Sequence, residues 1–163
     1  VIANVGEEDL LDLEHQHHYQ SLLTYLSSFN IEVVPVSAQL ESELSVLEDD
    51  EKKEMLSSYG LHQSGLETVI EKSYQLLGLH TFFTAGEPEV RAWTFKKGMK
   101  APQCAGIIHT DFEKGFIRCE TLAFHDFLEY KSISKAKDAG KYRLEGKMYE
   151  MKDGDIVHFR FNV

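Results

Sequence analysis

Only two cysteines, Cys104 and Cys119, occur in the 163 residues, and they form neither a C-x-x-C pair nor a disulfide framework. Two isolated thiols fit a reducing compartment, so the sequence predicts a cytoplasmic protein without a catalytic cysteine motif. No internal repeat or low-complexity segment is visible. No apolar run approaches the roughly 18 residues of a membrane span, so no membrane partner is expected. The opening Val1-Ile2-Ala3-Asn4-Val5 has no initiator methionine, basic region or long apolar stretch and is not a signal peptide. It reads as the inside of a strand, and the chain is expected to be a piece of a longer one. No G-x-x-x-x-G-K-[ST] loop occurs, since Gly140-Lys141-Tyr142 lacks both the leading glycine and the Ser/Thr, and no D-x-x-G occurs either. No loop here is therefore expected to cradle phosphates and hold Mg²⁺, and no catalytic residue or metal ligand is assigned.

What is present suffices for a folded core: 42% of residues are apolar and 27% charged. The charge is unevenly distributed. Residues 1–77 carry 3 Lys/Arg against 15 Asp/Glu, whereas residues 78–163 carry 14 against 12. The shift predicts a domain boundary near Leu77-Gly78, giving domains 1–77 and 78–161.

The first half reads strand, helix, strand, helix, helix. Val1–Val5 is a short apolar run ended by Gly6, as in a buried parallel strand. Tyr19, Leu22, Leu23, Leu26 and Phe29 recur at helical spacing, predicting a helix from Asp12 to about Ser28, stopped by Asn30. Ile31–Val36 is a second strand, and Pro35 puts it at a sheet edge or ends it. Glu48–Ser58 is an acidic helix closed by Gly60. Ser64-x-x-Glu67 caps a further helix through Leu77 with Leu66, Ile70, Tyr74 and Leu77 as its apolar face. This alternation is α/β, with right-handed βαβ crossovers.

The second half is α+β. His80–Thr84 and Val90–Lys96 form a hairpin through Ala85-Gly86-Glu87-Pro88-Glu89. Ala101 to about Thr110 is a short helix, Phe116–Phe124 a third strand and Ser134–Ala139 a helix stopped by Gly140. Tyr142–Glu145 and Met148–Met151 are short extended pieces, Asp153-Gly154 is a tight turn and Ile156–Phe161 is the last strand. A hairpin, a crossing helix and further strands in this order form a pattern of the β-grasp type.

Polar clusters offer few sites. His15 and His18, with His17 and Glu14 alongside, invite a metal reading at i, i+3 on a helix, but no second ligand pair follows at zinc spacing, so a solvated helix face is expected. His109 and Asp111 admit an acid/base pair or, more ordinarily, a helix-terminal hydrogen bond. Asn4-Val5-Gly6-Glu7 closes the first strand, and Ser37-Ala38 closes the second. In an α/β sheet, ligands bind where strands end at their carboxyl edge. An Asn there can present its amide to N7 and N6 of adenine, as it does in major grooves. These strand ends resemble the base pocket of Ras-like P-loop nucleotidases, whose guanine-specific form is Asn-Lys-x-Asp; the resemblance puts Val5 at the Lys position and Glu7, one methylene longer, at the Asp position, and implies a preference for adenine. The alternative is that Asn4 and Glu7 merely form a strand-to-helix turn.

Longer blocks give these positions a context. Leu79-His80-Thr81-Phe82-Phe83-Thr84-Ala85-Gly86, Glu89-Val90-Arg91-Ala92-Trp93-Thr94, Lys100-Ala101-Pro102-Gln103, Ile108–Arg118 and Asp153–Val163 together resemble the end of the YchF family of Obg-like ATPases. The resemblance runs through the whole chain. It implies the C-terminal part of a Ras-like P-loop NTPase sheet, joined to a β-grasp (ubiquitin-like) TGS domain. It also implies a cytosolic ATP hydrolase that associates with the ribosome and its large subunit, and that binds ATP, and GTP more weakly, with Mg²⁺. Asn4, Val5, Glu7, Ser37 and Ala38 match the family's nucleotide-binding motifs. The family's P-loop and switch regions lie before Val1, so the fragment by itself is expected to be inactive and to bind no cofactor firmly. Cys104 and Cys119 stand where the family more often has alanine.

Ribosomal RNA or ribosomal protein is the expected partner, and DNA is not. Lys96, Lys97, Lys100, Lys114 and Arg118 are the candidate contacts, with a second basic group at Lys131, Lys135, Lys137, Lys141, Arg143 and Lys147. Trp93 and Phe95 admit base stacking or core packing. A non-enzymatic β-grasp RNA- or ribosome-binding module is the alternative reading.

Overall fold

The computed structural model describes residues 1–86 and 89–162 and divides into two compact units, Val1–Ser73 and Tyr74–Val163. The expected turn residues Glu87 and Pro88 lie outside the described residues.

In the first unit, β1 (Ile2–Asn4) and β2 (Val34–Val36) pair in parallel, with Ile2 opposite Val34, Ala3 opposite Pro35 and Asn4 opposite Val36. Among the described residues β2 has only β1 as a neighbour, so Pro35 sits on an edge where its missing N–H costs no ladder bond. The strand is shorter than the expected Ile31–Val36. The amide of Ile31 instead donates to the Leu26 carbonyl at 3.2 Å and Asn30 takes φ 55°, which caps helix α1 (His17–Ser27) in a left-handed turn. The helix expected from Asp12 also starts late. Glu8–Asp12 is a 3-10 turn, and His15 and Gln16 donate their amides to the Asp12 and Leu13 carbonyls in the tight i→i+3 pattern. His15 therefore precedes the helix that carries His18 and pairs with Asp12. The expected i, i+3 arrangement of those two histidines does not form.

Helices α2 (Ala38–Leu44), α3 (Asp49–Ser58) and α4 (Gly65–Leu77) follow. Leu40, Leu44 and Leu56 are buried together, with Leu10, Leu47, Met55, Tyr59 and Leu61 against them. The capping box that opens α4 is formed in both directions: Ser64 N–H donates to Glu67 at 2.9 Å, and Glu67 N–H to Ser64 Oγ at 3.1 Å. Gly65 is there because of space; a Cβ on it would meet Val36 and the Glu41 carboxylate at 3.1 Å. Leu66, Ile70, Tyr74 and Leu77 share one side of α4 as expected, yet all four are exposed.

The second unit is built on a mixed five-stranded sheet in the order β4-β3-β7-β5-β6. Its strands are β3 (Leu79–Ala85), β4 (Val90–Lys96), β5 (Phe116–Ala123), β6 (Arg143–Glu145) and β7 (Asp155–Phe161). Only β3 and β7 pair in parallel; the other neighbours are antiparallel. Helix α5 (Ala101–Ile108) buries Ala101, Cys104 and Ala105 in a core with Phe82, Phe95, Phe116, Cys119, Met151, Val157 and Phe159. Small residues on α5 let the aromatic layer beneath it close up. A short helix α6 (Thr110–Lys114) precedes Gly115, where any Cβ would fall 1.9 Å from the Asn162 carbonyl oxygen.

Two elements differ from expectation here. Phe124–Tyr130 is helix α7, not the end of a strand, and is stopped by Lys131 at φ 52°; α8 (Ile133–Asp138) follows. Met148–Met151 forms no strand. It joins the fold through the isolated Lys100–Glu150 bridge, with Ala101 N–H donating to the Tyr149 carbonyl and Met151 N–H to that of Met99.

Phe82 is fully buried and touches the rings of Trp93, Phe95 and Phe159. Phe82→Ala is expected to destabilise the second unit by about 3–5 kcal/mol. The shift in urea midpoint, followed through the fluorescence of Trp93, the sole tryptophan, measures it.

Candidate functional site

The parallel pairing of β1 and β2 brings their carboxyl ends side by side. Val5 N–H donates to the Val36 carbonyl at 2.9 Å, extending the ladder one step past Asn4. The Asn4 side chain then crosses to the next element, its Oδ1 accepting the Ala38 amide at 3.1 Å. Of the two heteroatoms of the carboxamide only the oxygen can accept from an N–H, so this bond fixes the amide: Oδ1 faces Ala38 and the Nδ2 amino group points elsewhere. Ser37 is buried at 2% exposure and caps α2, its Oγ accepting from Leu40 N–H at 3.4 Å. Asn4, Ser37 and Ala38 thus form one cluster, with Val5 half-buried beside it.

Asn4 and Val5 also line a concavity of about 320 Å³ with Gly6, Asp9, Tyr19 and their neighbours. Glu7 does not line it, and flanks the 3-10 turn instead. The carboxylate that does reach the concavity is Asp9, which accepts the Gly6 amide at 3.1 Å. Sequence reasoning passed over Asp9, although a glycine followed by Asp three residues on is a local turn signal. It also missed Tyr19 as a wall, having read it only as part of a helical stripe.

Among the described residues no group of three or more His, Cys, Asp or Glu side chains could hold a metal ion. The donor set at the cluster is one amide and one carboxylate already bonded to backbone. Such a set is too poor in oxygen ligands to hold a Mg²⁺ ion. His109 is settled likewise: its Nδ1 accepts the Asp111 amide at 3.2 Å and caps α6. Cys104 and Cys119 are free and buried, and burial pushes the Cys104 thiol up to about 12, which leaves it unreactive near neutrality.

The basic candidates separate by partner. Lys96, Lys97 and Arg118 are exposed, without an ion-pair partner among the described residues. Lys114 reaches Asp111 at 4.0 Å, and Lys100 Nζ lies 3.7 Å from Met148 Sδ. In the second group Lys141 is bound to buried Asp126 at 3.2 Å, and Arg143 to Glu145, Tyr149 and Asp155. Phe95 is core, and Trp93 donates Nε1–H to Thr84 under the Arg91 guanidinium, so both aromatics pack in the fold. A cation absent from the first list, Arg160, grips Glu120 with two nitrogens at 3.0 and 3.3 Å, and Tyr142 donates its hydroxyl to the same carboxylate at 2.9 Å.

The family YchF-GTPase_C, described as a protein of unknown function (DUF933), matches residues 79–162. A Bacillus subtilis protein named ribosome-binding ATPase YchF is 54% identical over 99% of this chain and 44% of its own length. The Escherichia coli O157:H7 protein of the same name is 48% identical over the same shares. A solved structure of a Schizosaccharomyces pombe YchF GTPase superposes with a TM-score of 0.86 at 36% identity, over 98% of this chain and 42% of that one. The chain spans less than half the length of these relatives.

Burial first, and then the hydrogen bond to Glu120, push the Tyr142 phenol from an ordinary value near 10 up to about 12. The folded chain holds this proton more tightly than the unfolded one. The resulting stability is complete below about pH 10 and is lost as pH rises through 12. Denaturant midpoints measured across pH 9–12 are expected to fall, and Tyr142→Phe should flatten that fall.

Proposed function

Because the chain belongs to the YchF family, we propose that it is the C-terminal part of a ribosome-associated ATP hydrolase of the cytoplasm, with residues 1–77 contributing the base-reading end of the nucleotide domain and 78–161 a TGS domain of β-grasp type. The domain reading is supported by the mixed sheet order β4-β3-β7-β5-β6, with a parallel central pair and one helix packed across it. The relatives of full length are named ATPases in two bacteria and a GTPase in a yeast, so the base preference has to be argued from residues.

The observation that carries the reading is the Ala38 N–H···Oδ1 Asn4 bond. It holds Asn4 with Nδ2 free to donate to N7 of a purine, while the second lone pair of Oδ1 can accept from an exocyclic amine. Adenine presents that amine at C6, and guanine presents a carbonyl there, which would face Oδ1 lone pair to lone pair. The Ala38 amide, which could have answered a guanine carbonyl, is already used. Val5 packs on the ring, and Ser37 holds the turn that presents Ala38. Phosphoryl transfer needs a phosphate-gripping lysine and Mg²⁺ ligands that these residues do not include, and we assign both to the remainder of the whole protein.

In the protein of full family length, Asn4→Ala is expected to weaken ATP binding by roughly 5- to 150-fold, the ~1–3 kcal/mol of a lost bidentate pair, and GTP binding by less. Unchanged ATP affinity would remove the basis for the base assignment. These 163 residues alone should show no Mg²⁺-dependent ATP turnover.

A further inference from the structure

The sheet of the second unit carries a pair of opposed arginines of which its fold neutralises only one. In the antiparallel ladder between β5 and β7, Arg118 stands directly opposite Arg160. Their neighbours along each strand, Cys119 and Phe159, are buried in the core. Side chains alternate along a strand, so both arginines project from the other face, and both are exposed. Opposed residues in such a ladder have Cβ atoms about 4.5–5.5 Å apart, and like charges in that position repel.

The fold answers only one of the two. Arg160 is neutralised by Glu120, whose carboxyl is held below its ordinary range chiefly by that guanidinium. Glu120 is also shared with Tyr142, which donates its hydroxyl to it. Arg118 has no ion-pair partner among the described residues. Close by, His158 stands opposite Glu120 and is exposed, and Lys137 lies 4.3 Å over the ring of Tyr142. Among the described residues Glu120 is paired with Arg160 and no acid is paired with Arg118.

We infer that Arg118 and Arg160 form an anion seat on the open face of this sheet, occupied by an RNA phosphodiester when the protein is on the ribosome. The inference rests on the ribosome-associated reading above. The free guanidinium fork of Arg118 and the Nη1 donors that Arg160 keeps outside its Glu120 pair can converge on one phosphate or straddle two adjacent ones, and paired N–H donors match phosphate oxygens. The exposed apolar neighbours of the pair, Ile117 and Leu144, are single aliphatic side chains and not the aromatic centre of a protein interface, while the pair itself offers charge and forked donors. Closing the seat on an anion would remove the Arg–Arg repulsion that the free fold retains.

The test compares the whole chain with its Arg118→Gln and Arg118→Lys forms. Binding is measured to purified ribosomes and to protein-free large-subunit ribosomal RNA over a salt series, together with each variant's thermal midpoint. The expected results are salt-sensitive binding of the unmodified chain to both probes and several-fold weaker binding of Arg118→Gln. The slope of log affinity on log salt should be about 0.7–0.9 shallower for that variant. Arg118→Lys should keep the slope, and the midpoint of Arg118→Gln should be unchanged or higher. Undiminished binding by Arg118→Gln would overturn the seat while leaving ribosome association standing. A lowered midpoint for Arg118→Gln would assign Arg118 to structure and overturn it too. Binding to ribosomes but not to bare RNA would point to a ribosomal protein and reject the RNA assignment. Failure of the unmodified chain to bind at any salt would reject both readings.

Discussion

One hydrogen bond organises the carboxyl edge of the two strands in the first unit: the Ala38 amide on the Asn4 carboxamide. It depends on parallel pairing, because only strands running the same way place Asn4 and the residue before α2 at a common edge. It also uses the first amide of α2, one of the orphan donors that every helix start must satisfy, while the Ser37 hydroxyl takes another. The same residues that end a strand and start a helix therefore fix the orientation of the Asn4 amide. Selectivity here would come from commitment: an amide whose oxygen is held in place favours a ligand edge with a donor beside an acceptor.

The second unit satisfies its polar groups more deeply. Asp155 begins β7 at 1% exposure and accepts the Tyr149 hydroxyl at 2.7 Å and the Lys152 amide at 3.0 Å, with Arg143 at 3.5 Å. A buried carboxylate is tolerable only when its oxygens are occupied in this way. The network ties the segment after β6 to the start of the central strand. Asp153 does the same for β3, accepting the Thr81 amide at 2.7 Å. These bonds set the parallel register of β3 and β7, and that register in turn places residues 156, 158 and 160 on the open face.

Much of the architecture was legible in local signals. Ser64-x-x-Glu67 marked the start of α4, Gly60, Gly140 and Gly154 marked turns that take positive φ, and β4 runs from Val90 to Lys96 as its pattern indicated. The errors occurred where one element hands over to the next. Phe124, Phe127 and Leu128 are spaced for a helix, but the apolar run of β5 leads into them without a break, so periodicity 2 masked periodicity 3.6. Ile31 has strand propensity, yet its amide was needed to finish α1. At the site, Asn4, Ser37 and Ala38 could be read from strand ends. The substitution of Asp9 for Glu7 in lining the concavity could not, because it turns on which way a 3-10 turn points its carboxylates. The opposition of Arg118 and Arg160 was invisible for a different reason: 42 positions separate them in sequence, and a one-residue change of register would put one of them in the core.

The chain's net charge of −10 does not by itself forbid a polyanionic partner, because distance decides the matter. At physiological ionic strength the screening length is about 8 Å, so acidic side chains further off than that act weakly on a phosphate. Contact charges are screened far less, and they count in full only if the protein has not already neutralised them. Several of the second unit's cations fail that condition: Lys141, Arg143 and Lys114 each have an acid within reach. Net charge per domain therefore says little about where an anion would sit. What matters is the cation that the fold sets beside a second cation and leaves without an acid, and on this sheet that residue is Arg118.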